Sequence, residues 1–268
     1  MNKFSTLFTL LILTFEIAFA GQIINKSSGK PVEYVNIGIP GKNIGTVSND
    51  QGFYVFRPEG VDDETIVRLS CIGFQTMDIS LGKFLSMDKI EMTEIAYPLH
   101  EAIVLPSTFV KKVLGVKTTS TAAQAGFTNN SLGYEMGIMM PVRKRAKINS
   151  IILNIASNTY DTVFYRVNIY EVKNLKKREF VNVLKEPLYL TIIKNQVKKT
   201  ITFDVSQRQI LVTGKFLVTL EHVKNLGTGG LFFCSQIGPL SWYRKTSQGE
   251  WGSAPIGVSI SVEALVEK

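Results

Sequence analysis

Short runs of alternating apolar and polar residues, broken by glycine, proline and asparagine, recur along most of this chain. A period of two with such punctuation points to strands packed against a core. Val163, Tyr165, Val167 and Ile169 fall in one register, and Phe164, Arg166, Asn168 and Tyr170 in the other. The run Ile148 to Ile155 alternates likewise, and further strands are predicted over 188–193, 199–205, 215–221, 231–235, 241–244 and 257–265. About eight strands separated by Gly, Pro and Asn are what a jelly-roll-like β-sandwich needs. With 45% hydrophobic and 19% charged residues the 268-residue chain can bury real cores. At about 150 residues per domain, two domains are expected.

The N-terminus carries Lys3, an apolar run from Leu7 to Phe15, and Ala18-Phe19-Ala20 as a small-x-small site, which reads as a secretory signal peptide over residues 1–20. Glu16 stops the apolar run well short of the roughly 20 residues that span a bilayer. Residue 21 is Gly and offers no cysteine for lipid attachment, and no later segment has the apolar length of a transmembrane helix, so the mature chain is expected to have no transmembrane span. Export permits disulfides, and Cys71 and Cys234 are the only possible pair. Both follow apolar residues; buried free thiols are the expectation, with an inter-domain bridge as the alternative.

The first half, residues 21–105, reads as a small β-sandwich. Gly21 to Ile24 starts a strand, Asn25 to Pro31 is a turn cluster, and Val35 to Ile39 alternates again. Gly45 to Ser48, Asn49-Asp50-Gln51-Gly52 and Phe53 to Phe56 read as a hairpin, and 66–70 as another strand. Three segments, Gly45-Thr46-Val47-Ser48-Asn49-Asp50-Gln51-Gly52-Phe53-Tyr54, Leu69-Ser70-Cys71-Ile72-Gly73-Phe74 and Leu99-His100-Glu101-Ala102-Ile103-Val104, together resemble the carboxypeptidase-regulatory-like domain. The resemblance implies a transthyretin-like β-sandwich, a module common in exported proteins of Bacteroidota. It also implies a non-catalytic accessory role, since the family has no catalytic residues to transfer. In that family the module often precedes an outer-membrane receptor or follows a zinc carboxypeptidase. The 164 residues after Val104 are too few for a receptor barrel, and His100 and His222 stand alone as metal ligands. The single acidic side chain of the Asn49 to Gly52 turn falls short of a calcium loop.

Charge divides the chain. Residues 21–108 hold 7 Lys/Arg and 11 Asp/Glu, whereas residues 109–268 hold 22 and 10, so the basic character lies in the second half. This supports a boundary near residues 106–117, with 106–130 as linker or irregular segment and 131–268 as a basic β-sandwich. An exported basic domain does not meet cytoplasmic nucleic acid; its expected partners are an envelope protein, an acidic glycan or a lipid headgroup.

Catalytic signatures are missing: there is no Gly-x-Ser-x-Gly elbow, His-Glu-x-x-His or P-loop. Asp161, Glu171, Asp204, Glu221 and Glu250 offer carboxylates for a glycoside hydrolase-like pair, which only separation in space defines. His222, at a strand end, is expected to be structural. The sharpest binding candidate is the segment from Ser241 to Trp251. It holds both tryptophans, and Trp242, Tyr243, Arg244 and Trp251 offer flat faces beside polar groups for a sugar or peptide. The rival reading is a hairpin whose aromatics cover the sandwich edge. The expectation is therefore an all-β, non-enzymatic exported envelope protein, in the periplasm or at the outer membrane. It has no cofactor and no metal, and acts as a binding or assembly module. A carbohydrate-binding accessory is the alternative and a glycoside hydrolase-like enzyme the weaker one.

Overall fold

The computed structural model describes residues 19–96, 109–128, 130–194 and 199–268. The predicted signal peptide up to residue 18, His100 and the segment Leu99 to Val104 lie outside the described residues.

The first unit is two sheets around one core. Strands β1 (Phe19–Asn25), β2 (Asn36–Gly38), β3 (Gly45–Val47), β4 (Phe53–Phe56), β5 (Ile66–Ser70), β6 (Met77–Ser80) and β7 (Lys89–Met92) form a three-stranded sheet β4-β1-β7 and a four-stranded sheet β3-β2-β5-β6. Between them are buried Ile23, Val35, Ile37, Phe56, Val67, Leu69 and Ile90, the inward residues of alternating strands. A short helix α1 (Leu81–Leu85) adds Leu81 and Phe84 to that core. One detail departs from the sequence reading: β3 and β4 are not paired in a hairpin but belong to different sheets. The Asn49 side chain accepts hydrogen bonds from the backbone N–H of Gln51 and Phe53, at 2.9 Å each, and so turns the chain from one sheet to the other. Gly52, at φ +73°, completes that turn, and a Cβ there would meet the Ile23 carbonyl oxygen at 2.3 Å.

The second unit holds β8 (Phe109–Gly115), β9 (Gln124–Phe127), β10 (Glu135–Asn158), β11 (Thr162–Asn174), β12 (Glu179–Asn182), β13 (Leu188–Ile193), β14 (Thr200–Asp204), β15 (Ile210–Glu221), β16 (Leu231–Arg244), β17 (Gly252–Val258) and β18 (Ile260–Glu267). All eleven are linked in one hydrogen-bonded system. Two long strands make the turn-back possible. The first half of β10 pairs with β15 and the end of β16, whereas its second half pairs with β14, β18 and the start of β16, across a register shift between Pro141 and Arg145. The faces so folded together enclose Ile148, Ile151, Leu153, Val163, Tyr165, Val167, Phe216, Val218, Phe233 and Val262.

The predicted alternation of β11 is observed. Val163, Tyr165, Val167 and Ile169 enter this core, and Arg166, Asn168 and Tyr170 face the other way. The segment 106–130, read as linker or irregular, instead contains β8 and β9. β8 pairs along its length with β18, and β9 with β16. Its Ser, Thr, Ala and Gly residues give a weak alternation because these strands carry few inward side chains. The runs 231–235 and 241–244, read as two strands, are one strand β16, bent at Gly238 (φ +114°) and Pro239.

Candidate functional site

The outward register of β11 lies beside that of its neighbours. Arg166 and Asn168 of β11 are opposite Glu221 and Thr219 of β15, and Glu135 of β10 is opposite both Glu221 and Arg244 of β16. Four charged side chains are thereby gathered on one face of the sheet, and the first unit covers it. Glu135 and Glu221 are fully buried, and Arg166 and Arg244 are 2% and 8% exposed.

An isolated charge at this depth is prohibitively unfavourable, so the geometry must pair every one. Arg166 donates to Glu221 Oε2 from Nε (3.0 Å) and Nη2 (2.8 Å). Arg244 donates to Glu135 Oε2 from Nε at 2.7 Å, and its Nη2 lies 3.7 Å from Glu221 Oε1. Asn168 joins the two carboxylates, donating to Glu135 Oε1 (2.9 Å) and Glu221 Oε2 (2.7 Å). The hydroxyls of Tyr170 and Thr219 also donate to Glu135 Oε1. Burial opposes the charge of Glu221, but Arg166 and Arg244 outweigh it and hold that carboxyl below its usual range. For Glu135 burial dominates over Arg244 and pushes the carboxyl up.

The cluster also fastens the two units together. Arg166 Nη1 donates to the Tyr34 carbonyl (2.7 Å) and Nη2 to Asn36 Oδ1 (2.5 Å), both in the first unit. The β16–β17 loop reaches the same place. Ser247 Oγ donates to Asn36 Oδ1 (3.2 Å), Gln248 Nε2 to Ser70 Oγ (2.8 Å), and Gly41 N–H to the Gln248 carbonyl. Gly38 and Gly45 are needed for this approach, since a Cβ on either would sit 2.3 Å from the Ser247 carbonyl oxygen. Beside it, Tyr34 and Val47 pack on Val223, Leu132, Phe164 and Tyr189. Tyr34 holds φ +51°, a left-handed backbone uncommon outside glycine, at the centre of these contacts. Among the described residues one ion pair, Lys224 to Asp50 at 3.9 Å, crosses between the units at this edge.

Where the units do not touch, a cleft of about 460 Å³ remains. Ser70, Cys71, Ile72, Gly73 and Phe74 line it from the first unit; Arg166, Asn168, Tyr170, Phe180, Val181, Asn182, Arg244 and Gln248 line it from the second. Gly73, at φ +90°, turns the first unit's loop over the opening. A second groove, of about 500 Å³, lies near Phe53, Val55 and Leu132 and is largely apolar.

The sequence-derived candidates are only partly brought together. Trp242 is 8% exposed and packs edge-on against Phe180, 5.4 Å between ring centroids, with Tyr170 and Leu217. Trp251 joins that cluster through Phe180 (5.3 Å) and lies 5.1 Å from the Arg244 guanidinium. Tyr243 points to the opposite face of β16 and packs on the large core. The four therefore form no open stacking platform, because alternation along β16 separates Tyr243 from its neighbours and Phe180 covers Trp242. Arg244 alone reaches the cleft. Among the carboxylates, Glu221 joins Glu135, which the sequence reading missed; Asp161, Glu171 and Glu250 instead make exposed ion pairs with Lys194, Lys173 and Arg178. Asp204 bonds the backbone N–H of Ser206. The missed signal was polar residues in the outward register of β11 together with a glutamate at the start of β10.

His222 is fully buried against Phe127, Tyr160 and Tyr165, and burial lowers its pKa to about 4. Cys71 and Cys234 are both free thiols, and Cys71, on the cleft wall, is pushed up to about 11 by burial. No helix among the described residues is long and apolar enough to cross a membrane.

No curated protein matches the chain. Among solved structures it is similar to the VP2 subviral particle of infectious bursal disease virus, at 12% identity over 93% of this chain and 64% of that chain, with a TM-score of 0.20. It is also similar to T=1 particles derived from infectious bursal virus, at 12% identity over 93% and 62%, again with a TM-score of 0.20. The chain thus spans less than two thirds of the length of either. The first unit matches a family model, and with its two-sheet sandwich already described, residues 19–104 are a CarboxypepD_reg-like domain.

Proposed function

We propose that the chain is a non-enzymatic, exported binding or assembly module of the cell envelope, and that its ligand or partner is held in the cleft between its two β units. One observation carries this reading: the cleft is lined from both units, and its floor is a buried cluster of two ion pairs that fixes those units against each other. Pre-organised polar groups at a domain interface are where binding sites occur preferentially. Glu135 and Glu221 lie behind Arg166, Asn168 and Arg244 and do not line the cleft, which favours binding over acid–base hydrolysis. The buried state of Trp242 weighs against a carbohydrate-binding surface on the Ser241 to Trp251 hairpin.

The test is photo-crosslinking in the native envelope, with a photoreactive residue at Phe74 or Val181 in the cleft and, for comparison, at Val113, exposed on β8. The expected result is recurrent adducts from Phe74 and Val181 and none from Val113. Adducts from Val113 alone would remove the cleft from the function, and absence of all adducts in a correctly exported protein would remove the binding role.

A further inference from the structure

We infer that the cleft takes a carboxylate carried on an apolar group, an inference that rests on the cleft being the binding site proposed above. Three arginines, Arg68, Arg166 and Arg244, line it, and among the described residues no aspartate or glutamate does. The guanidinium of Arg244 is the telling group. Its Nε and Nη2 are engaged by Glu135 and its Cζ lies over the Trp251 ring, 5.1 Å from the centroid, but no hydrogen bond or ion pair among the described residues uses Nη1. A planar donor, 92% buried, rigidly held and with one nitrogen left over beside a cleft, is matched to an acceptor that the chain does not supply.

The charge arithmetic narrows the acceptor. Two arginines face two glutamates in the cluster, and Arg68 at the rim is paired with Asp78 (2.6 Å), so the wall is neutral by itself; one added carboxylate leaves a single negative charge and a dianion would leave two. A carboxylate oxygen before Nη1 accepts from one of its N–H groups, on the side of the guanidinium turned away from Glu135 and Glu221. The rest of the wall sets the body of the ligand. Ile72, Phe74, Ile95, Phe180, Val181 and Leu184 line the cleft, and Ile95 and Val181 are 38% and 49% exposed, apolar surface available for contact. A sugar acid, hydroxylated on every face, makes poor use of such walls; a peptide ending in an apolar residue, or a fatty acid, fits them.

Trp242 and Trp251 are the only tryptophans, and Trp251 lies against Arg244, so intrinsic fluorescence reports on the site. The mature chain is titrated with N-acetyl-L-phenylalanine, its amide, octanoate and glucuronate. Saturable fluorescence change is expected with at least one of the two apolar acids, and binding of the amide about tenfold weaker or more. N-acetyl-L-phenylalanine binding without octanoate would identify a peptide terminus as the source, and the reverse a lipid. Val181→Glu, at a half-exposed position in the cleft, is expected to weaken the acid about tenfold with an unchanged thermal midpoint. Equal binding of acid and amide, or no effect of Val181→Glu, overturns the inference, and glucuronate binding as well as the apolar acids overturns its apolar half. If no probe titrates while cleft crosslinks still capture a partner, the carboxylate inference fails and the binding reading stands; if both fail, both fall.

Discussion

Replacing Arg166 by methionine tests whether the buried cluster holds the molecule together through charge. The change keeps much of the side-chain volume but removes four hydrogen bonds: two to Glu221 and one each to the Tyr34 carbonyl and Asn36. Glu221 retains Asn168 at 2.7 Å and Arg244 at 3.7 Å, so it is left under-compensated with no exposure to water. Removing one partner of a buried pair costs about 3–5 kcal/mol, which for a chain of this size lowers the thermal midpoint by roughly 6–15 °C. The sign of the pH dependence follows. With Arg166 present the Glu221 carboxyl is held low, so its contribution exists above the unfolded-state pKa and is lost as pH falls through the lower folded value. Without Arg166, burial prevails and the carboxyl rises, so the variant regains stability on acidification. Urea denaturation of wild type and Arg166→Met at pH 7.5 and pH 5 measures both. The gap between them is expected to narrow at pH 5, and adding Glu221→Gln to Arg166→Met should recover part of the loss at pH 7.5. A gap independent of pH, together with a further loss on adding Glu221→Gln, would refute charge pairing as the cause and leave shape alone.

Three further outcomes are expected. His222 is neutral in the fold with a pKa of about 4, below its ordinary value, so its contribution is complete above about pH 6.5 and is lost as pH falls towards 4. The loss amounts to about 3 kcal/mol, and urea midpoints for wild type and His222→Phe should diverge in slope across that window. Gly45→Ala places a Cβ against the Ser247 carbonyl oxygen, and should destabilise by about 1–3 kcal/mol while speeding hydrogen exchange in the loop from Lys245 to Gly249; unchanged exchange there would show that the loop is not a clasp. Trp242→Ala empties a site packed by Phe180, Tyr170 and Leu217 and should cost about 3–5 kcal/mol in thermal or urea unfolding; an unchanged midpoint would restore Trp242 as a surface ligand-binding residue.

Local pattern was enough for much of the fold. The alternation of Val163 to Tyr170 specifies which side chains of β11 enter the core, because successive residues of a strand point to opposite faces whatever it pairs with. Turn residues at Asn49 to Gly52 and the motif Leu69 to Phe74 likewise carried the first unit and its family. The weakly patterned strands β8 and β9 escaped notice, because strands with few inward side chains are defined by their partners more than by themselves.

The site was less legible, since its chemistry depends on register across strands distant in sequence. Glu135 and Glu221 meet because β10 pairs with β15, and Arg244 reaches them because β16 lies on the other edge of β10. Trp242, Tyr243, Arg244 and Trp251 looked like one platform along the chain, yet alternation places Tyr243 in the core, and packing by Phe180, from a strand about sixty residues away, closes over Trp242. Sequence alone determined the all-β character, the family of the first unit and the inward register, all of which follow from short-range periodicity. Only the tertiary structure decided that an arginine of the second unit bonds a carbonyl and an asparagine of the first, because hydrogen-bond partners are chosen by position in space and not by separation along the chain.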